Sequence, residues 1–171
     1  MKDAQKTREL FKPINVKVLY VAESPPTGGT FFYFENSNLY FAILDAFEGY
    51  FENISFKETT AFLNFFKSIG FYLEDLCLEP VNKLSKRDRL KKRQGGIVRL
   101  SRIIRELSPR AVIILMKGIE NQAREAIQQS RHTPDFIGVS PFPAHSKQNK
   151  LNCTKKNIEF LEYFRDIGII E

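Results

Sequence analysis

The sequence predicts an α/β fold: a single three-layer α/β/α domain built on a four-stranded parallel sheet. Three observations predict it. Residues 16–21, VKVLYV, and 111–116, AVIILM, are short and almost uninterrupted apolar runs, the pattern of strands buried on both faces. Between such runs, apolar residues recur every three or four positions, which is the helical period. Strands joined by helices run parallel, and right-handed connections then place helices on both faces of the sheet.

Each element has its own signal. Residues 1–13 form a polar lead-in, helical or loose, ahead of the first strand at 16–21. Ser37 is placed to cap a helix carrying Leu39, Tyr40, Ile43, Leu44 and Phe47 on one face, with Gly49 as its stop. Ser55 followed by Glu58 is a capping-box pattern that opens a second helix, with Ala61, Phe62, Phe65, Phe66 and Ile69 inward and Gly70 at its end. The second strand is expected at 71–78, FYLEDLCL. Ser85 and Asp88 open a basic helix that Gly95 and Gly96 are expected to interrupt before it resumes through Ile97, Leu100, Ile104 and Leu107 to Pro109. The third strand, 111–116, leads into a helix at 118–131 with Ile119, Ala123, Ala126 and Ile127 inward. A fourth strand at 136–140 and a last helix near 154–166, closed by Gly168, complete the pattern.

Composition sets outer limits. A chain of 171 residues suits one domain and buries about two-thirds of its unfolded surface. No repeat, low-complexity segment or linker divides it, so residues 1–171 are expected to form one unit. No apolar run approaches the roughly 20 residues of a membrane span, and residues 1–13 lack the apolar core of a secretory signal, so a cytoplasmic protein without membrane contact is expected. Two cysteines, Cys77 and Cys153, are too few for an all-cysteine metal site and read as free structural thiols; no cofactor is expected.

The net charge of +6 has an address. Lys83, Lys86, Arg87, Arg89, Lys91, Lys92, Arg93, Arg99, Arg102, Arg105 and Arg110 are opposed in the same segment only by Asp88 and Glu106. Such clustering suits a polyanion, because every phosphate neutralised releases condensed counterions. A solvated helix face is the competing reading.

Chemistry is expected at the strand carboxyl ends, where open α/β sheets place their ligands. Three loops emerge there: residues 23–33, 79–85 and 141–149. The first, Glu23-Ser24-Pro25-Pro26-Thr27-Gly28-Gly29-Thr30, joins a carboxylate to two prolines and a glycine pair, and Phe31, Phe32 and Tyr33 follow it as candidates for a base-stacking platform. Fifteen of the 22 aromatics lie between Phe31 and Tyr72, so core packing is the competing reading for this group. Ser24, Ser140, Ser146 and Lys147 in the loops, with Arg89, Lys92 and Arg93 on the basic helix, are the candidate phosphate contacts. His145 is a candidate donor, whereas His132 reads as a helix-terminus residue.

Two short stretches carry a resemblance. Ala22-Glu23-Ser24-Pro25-Pro26 stands after the first strand and Ser140-Pro141-Phe142-Pro143 after the fourth, with two helices between the first and second strands. In this order and spacing the chain resembles the uracil-DNA glycosylase superfamily, whose first motif reads Gly-Gln-Asp-Pro-Tyr or Gly-Glu-Ala-Pro-Gly and whose last is typically His-Pro-Ser-Pro. The resemblance implies hydrolysis of the N-glycosidic bond of uracil or another altered base in DNA, as in base-excision repair. It makes Glu23 the catalytic carboxylate, as in the glutamate-bearing branch, and His145 a substitute for the histidine that Ser140 replaces. Ser24 stands where some members carry a water-activating aspartate. The base-reading asparagine of the family falls near Asp75, with Asn82 a few residues on; an ionised aspartate accepts but cannot donate a hydrogen bond. The four-cysteine iron–sulfur cluster of the glutamate-bearing branch has no counterpart among two cysteines.

The chemistry stands beside the resemblance. Breaking a base–sugar bond passes through an oxocarbenium-like sugar, which calls for negative charge near the sugar, a positioned water and donors toward the departing base. Two other readings fit the same residues: a nucleic-acid-binding relative without catalysis, and a hydrolase acting on free nucleosides or nucleotides, which has no use for the basic segment.

Overall fold

The computed structural model describes residues 3–52, 54–144 and 146–171. The chain runs α1 (Ala4–Leu10), β1 (Val18–Ala22), α2 (Asn38–Tyr50), α3 (Ala61–Ser68), β2 (Phe71–Asp75), α4 (Lys86–Leu107), β3 (Ala111–Ile114), α5 (Glu120–Ser130), β4 (Phe136–Val139) and α6 (Lys147–Asp166), with short 3-10 turns at Phe32–Phe34 and Lys117–Ile119. The four strands form one all-parallel sheet in the order β2-β1-β3-β4. This is the three-layer α/β/α architecture that the unbroken apolar runs predicted. Every residue of β1, β2 and β3 is buried, as strands covered on both faces must be.

The topology fixes the layers. From β1 the chain moves to β2 on one side, then crosses back over β1 to β3 and on to β4. Right-handed connections running in opposite directions put their helices on opposite faces, so α4 and α5 pack together on one layer and α2 with α6 on the other. The direction reverses at the carboxyl ends of β1 and β3, and a crevice opens where the two connections part.

An aromatic cluster fills the α2 and α3 side. Phe47, Phe62, Phe66 and Phe71 are fully buried or nearly so, with Phe47 and Phe62 rings crossing edge to face at 5.2 Å between centroids. The 3-10 turn feeds Phe32 into the same cluster, 5.4 Å from Phe66.

Several expected boundaries move, for physical reasons. The helix α4 runs unbroken through Gly95 and Gly96 for 22 residues. Gly96 is there for contact, not for a break: a Cβ at this position would collide with the main-chain oxygen of Leu76. The second strand stops at Asp75, because Leu76 and Cys77 leave the ladder to donate their N–H groups to the carbonyls of Ala22 and Glu23, at 2.8 Å each. The capping box at Ser55 is not used; α3 begins after Thr60, which adopts a left-handed conformation and donates its N–H to the Glu35 carboxylate at 3.0 Å. Gly49 lies inside α2, which continues to Tyr50, and α5 begins at Glu120 after a 3-10 turn. Finally α6 begins seven residues before the expected Thr154, with Ser146 as its cap.

Candidate functional site

A cavity of about 480 Å³ opens at the carboxyl ends of the strands. All four connections contribute to it: Glu23, Ser24 and Phe31 after β1, Asp75 and Asn82 from the end of β2 and its loop, Met116 after β3, and Phe142 and Ala144 after β4. That volume falls within the range of about 300–1,000 Å³ common for small-molecule sites.

Glu23 continues β1 and is half-buried at the wall of the cavity, facing α4. Arg89 and Arg93 lie one helical turn apart on α4 and both reach it. Arg89 donates Nε–H to Oε1 at 2.6 Å and Nη2–H to Oε2, while Arg93 donates from Nε at 2.6 Å and lies with Nη2 at 2.5 Å from Oε1. Arg93 is itself held by the carbonyl of Gly118 at 2.8 Å. Burial pushes the Glu23 carboxyl up, but the hydrogen bonds from Arg89 and Arg93 outweigh it and hold the group below its ordinary value. Glu23 is therefore an anion at neutral pH, with a guanidinium on each oxygen.

Asp75 closes the deep end. Its carboxylate is buried and paired with Arg8, which is itself only 1% exposed and also binds Glu74 at 2.7 Å. Arg99 from α4 adds a bond to Glu74 at 3.3 Å and another to the Asp75 carbonyl. Burial lifts the Asp75 carboxyl to about 7, against the pull of Arg8 and helped by the charge of Glu74. Behind the cavity wall, the Arg8 guanidinium lies 5.3 Å from the centre of the Phe31 ring. The lead-in helix α1 is thus a structural part of the site.

Other expected residues divide by position. Phe31 and Phe32 line the cavity, both almost fully buried. Tyr33 turns the other way: its hydroxyl accepts from Leu73 N–H at 2.8 Å and donates to the Leu73 carbonyl at 3.1 Å, so it belongs to the core. Ser24 accepts from Val81 N–H at 3.3 Å, and Asn82 clasps Thr27 through two bonds of 3.2 Å, which together tie the first loop to the second. Lys92 sits outside the cavity, paired with Glu79 at 2.7 Å.

Ser140 needs a different role from the phosphate contact expected of it. It is fully buried and accepts from Asn157 Nδ2 at 3.0 Å, while Asn157 Oδ1 accepts from the Tyr20 hydroxyl at 2.9 Å. The group is a buried bridge between β1, β4 and α6, out of reach of a phosphate. Ser146 caps α6 by accepting Asn149 N–H at 3.0 Å, and Lys147 is exposed on its first turn. His145 lies outside the described residues. His132 is where a helix-terminus residue should be, just after α5, with Nε2 2.7 Å from the Pro109 carbonyl. Both cysteines are free and buried.

Arg8, Glu74, Arg99, Met116 and Phe142 belong to the site without having been expected there. A helix of seven residues gives too few turns for a periodic signal, so Arg8 carried no mark in the sequence. The basic segment also changes character: Arg89, Lys92, Arg93, Arg99 and Arg110 each hold an internal carboxylate, and Arg105 donates to the carbonyls of Gln129 and Ser130. Lys83, Lys86, Arg87, Lys91 and Arg102 are exposed and make no ion pair among the described residues. No helix among the described residues is long and apolar enough to cross a membrane. No protein-family model matches the chain, and no curated protein matches it.

Proposed function

We propose that the protein binds DNA and hydrolyses the N-glycosidic bond of uracil or another altered base, in the manner of the uracil-DNA glycosylases it resembles. One observation carries the reading: Glu23, Asp75, Asn82 and the Phe31 ring, from two separate stretches of chain, line one cavity at the reversal point of the sheet. An extruded base enters with its face against Phe31, and its polar edge meets Asp75 in the interior. The Glu23 carboxylate lies at the wall, where negative charge stabilises the cationic sugar and a lone pair orients the attacking water. The resemblance assigns the role of donor to the departing base to His145. Lys86, Arg87 and Lys91 on the exposed side of α4 hold flanking phosphates.

A second reading, a DNA-binding protein of this fold that cuts no bond, is favoured by one observation. Arg89 and Arg93 together occupy both oxygens of Glu23.

The deciding experiment uses single- and double-stranded oligonucleotides containing uracil. Abasic sites, read as alkali-labile breaks, are the expected product, and Glu23→Gln should lower their rate by about 100-fold or more. Intact oligonucleotide together with tight, salt-sensitive binding overturns the hydrolase and establishes the second reading.

A further inference from the structure

We infer that Glu23 is held in reserve by Arg89 and Arg93, and that backbone phosphates of bound DNA release it by drawing those arginines away. The inference rests on the reading of Glu23 as the reacting carboxylate and adds the condition under which it acts.

Neutralisation of the carboxylate by two guanidinium ions is the first ground. An ionised carboxylate offers about four lone-pair positions. Three guanidinium bonds and a further close approach converge on Glu23: Nε and Nη2 of Arg89, and Nε and Nη2 of Arg93, with three of these nitrogens on Oε1. Oε1 is crowded by three nitrogens and Oε2 takes one, so the carboxylate is left at most one lone-pair position, on Oε2, and two full positive charges cancel the field it would exert on a cationic sugar. The arrangement that makes Glu23 an anion also makes it idle.

The second ground is what the arginines suit. A guanidinium fork binds carboxylate and phosphate through the same paired geometry. Glu23 occupies the place that the two non-bridging oxygens of a phosphodiester would take. Arg89 lines the cavity and is 32% exposed, and Arg93, one turn further along α4, keeps 15% of its side chain exposed, so both remain reachable. One turn earlier on the same helix, Lys86 is exposed and makes no ion pair among the described residues, so an incoming backbone meets a cationic surface before it meets the arginines.

Exchange is balanced in charge. Before it, two guanidinium ions neutralise one carboxylate. After it, they neutralise phosphate, and Glu23 keeps its negative charge for the sugar. Arg93 need not leave its place on Gly118 to do this, because that bond uses Nη1 and leaves Nε and Nη2 for the anion. Free nucleosides carry no phosphate and would leave Glu23 closed, which restricts the reaction to a polynucleotide.

The test follows the Glu23 carboxyl carbon by NMR in wild-type protein labelled at glutamate, with an unmodified single-stranded oligonucleotide so that no base is released. The carboxyl titration midpoint should rise toward the ordinary glutamate value when the oligonucleotide saturates the protein. A midpoint that stays depressed under saturation overturns the inference, as does a rise with inorganic phosphate but none with DNA. Affinity gives a second reading: Glu23→Gln should bind the oligonucleotide about tenfold more tightly, a gain of about 1.4 kcal/mol. That gain should vanish when Arg89 and Arg93 are both glutamine. A gain that persists without the arginines is a general charge effect and overturns the exchange. A protein that shows the exchange and releases no base refutes the hydrolase alone; one that releases base with Glu23 still clamped refutes the exchange alone.

Discussion

Asp75 shows how one side chain can set a property of the whole chain. Its carboxyl titrates near 7 in the folded protein because burial outweighs the Arg8 pair, whereas in the unfolded chain it titrates at about 3.9. Between those values the folded state binds more protons than the unfolded one, so this group makes stability fall as pH rises. The penalty is absent below about pH 4 and complete above about pH 7. Urea denaturation across this window should show wild type losing stability with rising pH and Asp75→Asn losing less; equal slopes in the two proteins would remove Asp75 as the cause. The residue scale is also where the sequence spoke unevenly. Glu23 and Ser24 were marked by their place between a buried run and a proline-glycine loop, because strand ends are local features. Tyr33 and Ser140 were not distinguished from their neighbours, since the direction a side chain faces depends on what packs around it.

Among the elements, α4 carries the sharpest contrast. Two adjacent glycines sit in its middle, and a helix interior pays about 0.5–1 kcal/mol for each relative to alanine. Nothing lies within 4 Å of a Cβ added at Gly95, so Gly95→Ala should stabilise the protein by about that amount. At Gly96 the same change meets the Leu76 carbonyl, and Gly96→Ala should destabilise by about 1–3 kcal/mol or more. Thermal denaturation of the two single variants checks both signs, and a loss at Gly95 equal to that at Gly96 would contradict the close contact. The contact has a use, because it presses α4 against the end of β2 and brings Arg89, Arg93 and Arg99 over Glu23 and Asp75. Helix propensity read the glycine pair as a break; the tertiary contact overrides it.

At the scale of the molecule, charge and topology act together. The basic segment divides into cations that hold the fold and cations left facing outward. Charge reversal at Lys86, Arg87 and Lys91, which make no internal ion pair among the described residues, should leave denaturation midpoints nearly unchanged. It should also make the slope of log affinity against log salt shallower by about 2–3 for duplex DNA. Arg110, bound to Asp135 at 2.7 Å and to the Gly168 carbonyl at 2.7 Å, should do the reverse when changed to alanine, lowering stability with little effect on that slope. An unchanged salt slope in the triple variant would move the DNA contact off α4.

The sequence by itself determined the layered α/β architecture, the parallel sheet and the loop that holds Glu23, because apolar period, strand burial and turn chemistry are written within a few consecutive residues. Tertiary structure alone decided that α1 returns to place Arg8 under Asp75, that Gly96 is a contact, and that the arginines of α4 close on Glu23. Those facts depend on partners 20 to 70 positions apart, and residues that meet only through the fold leave no period along the chain.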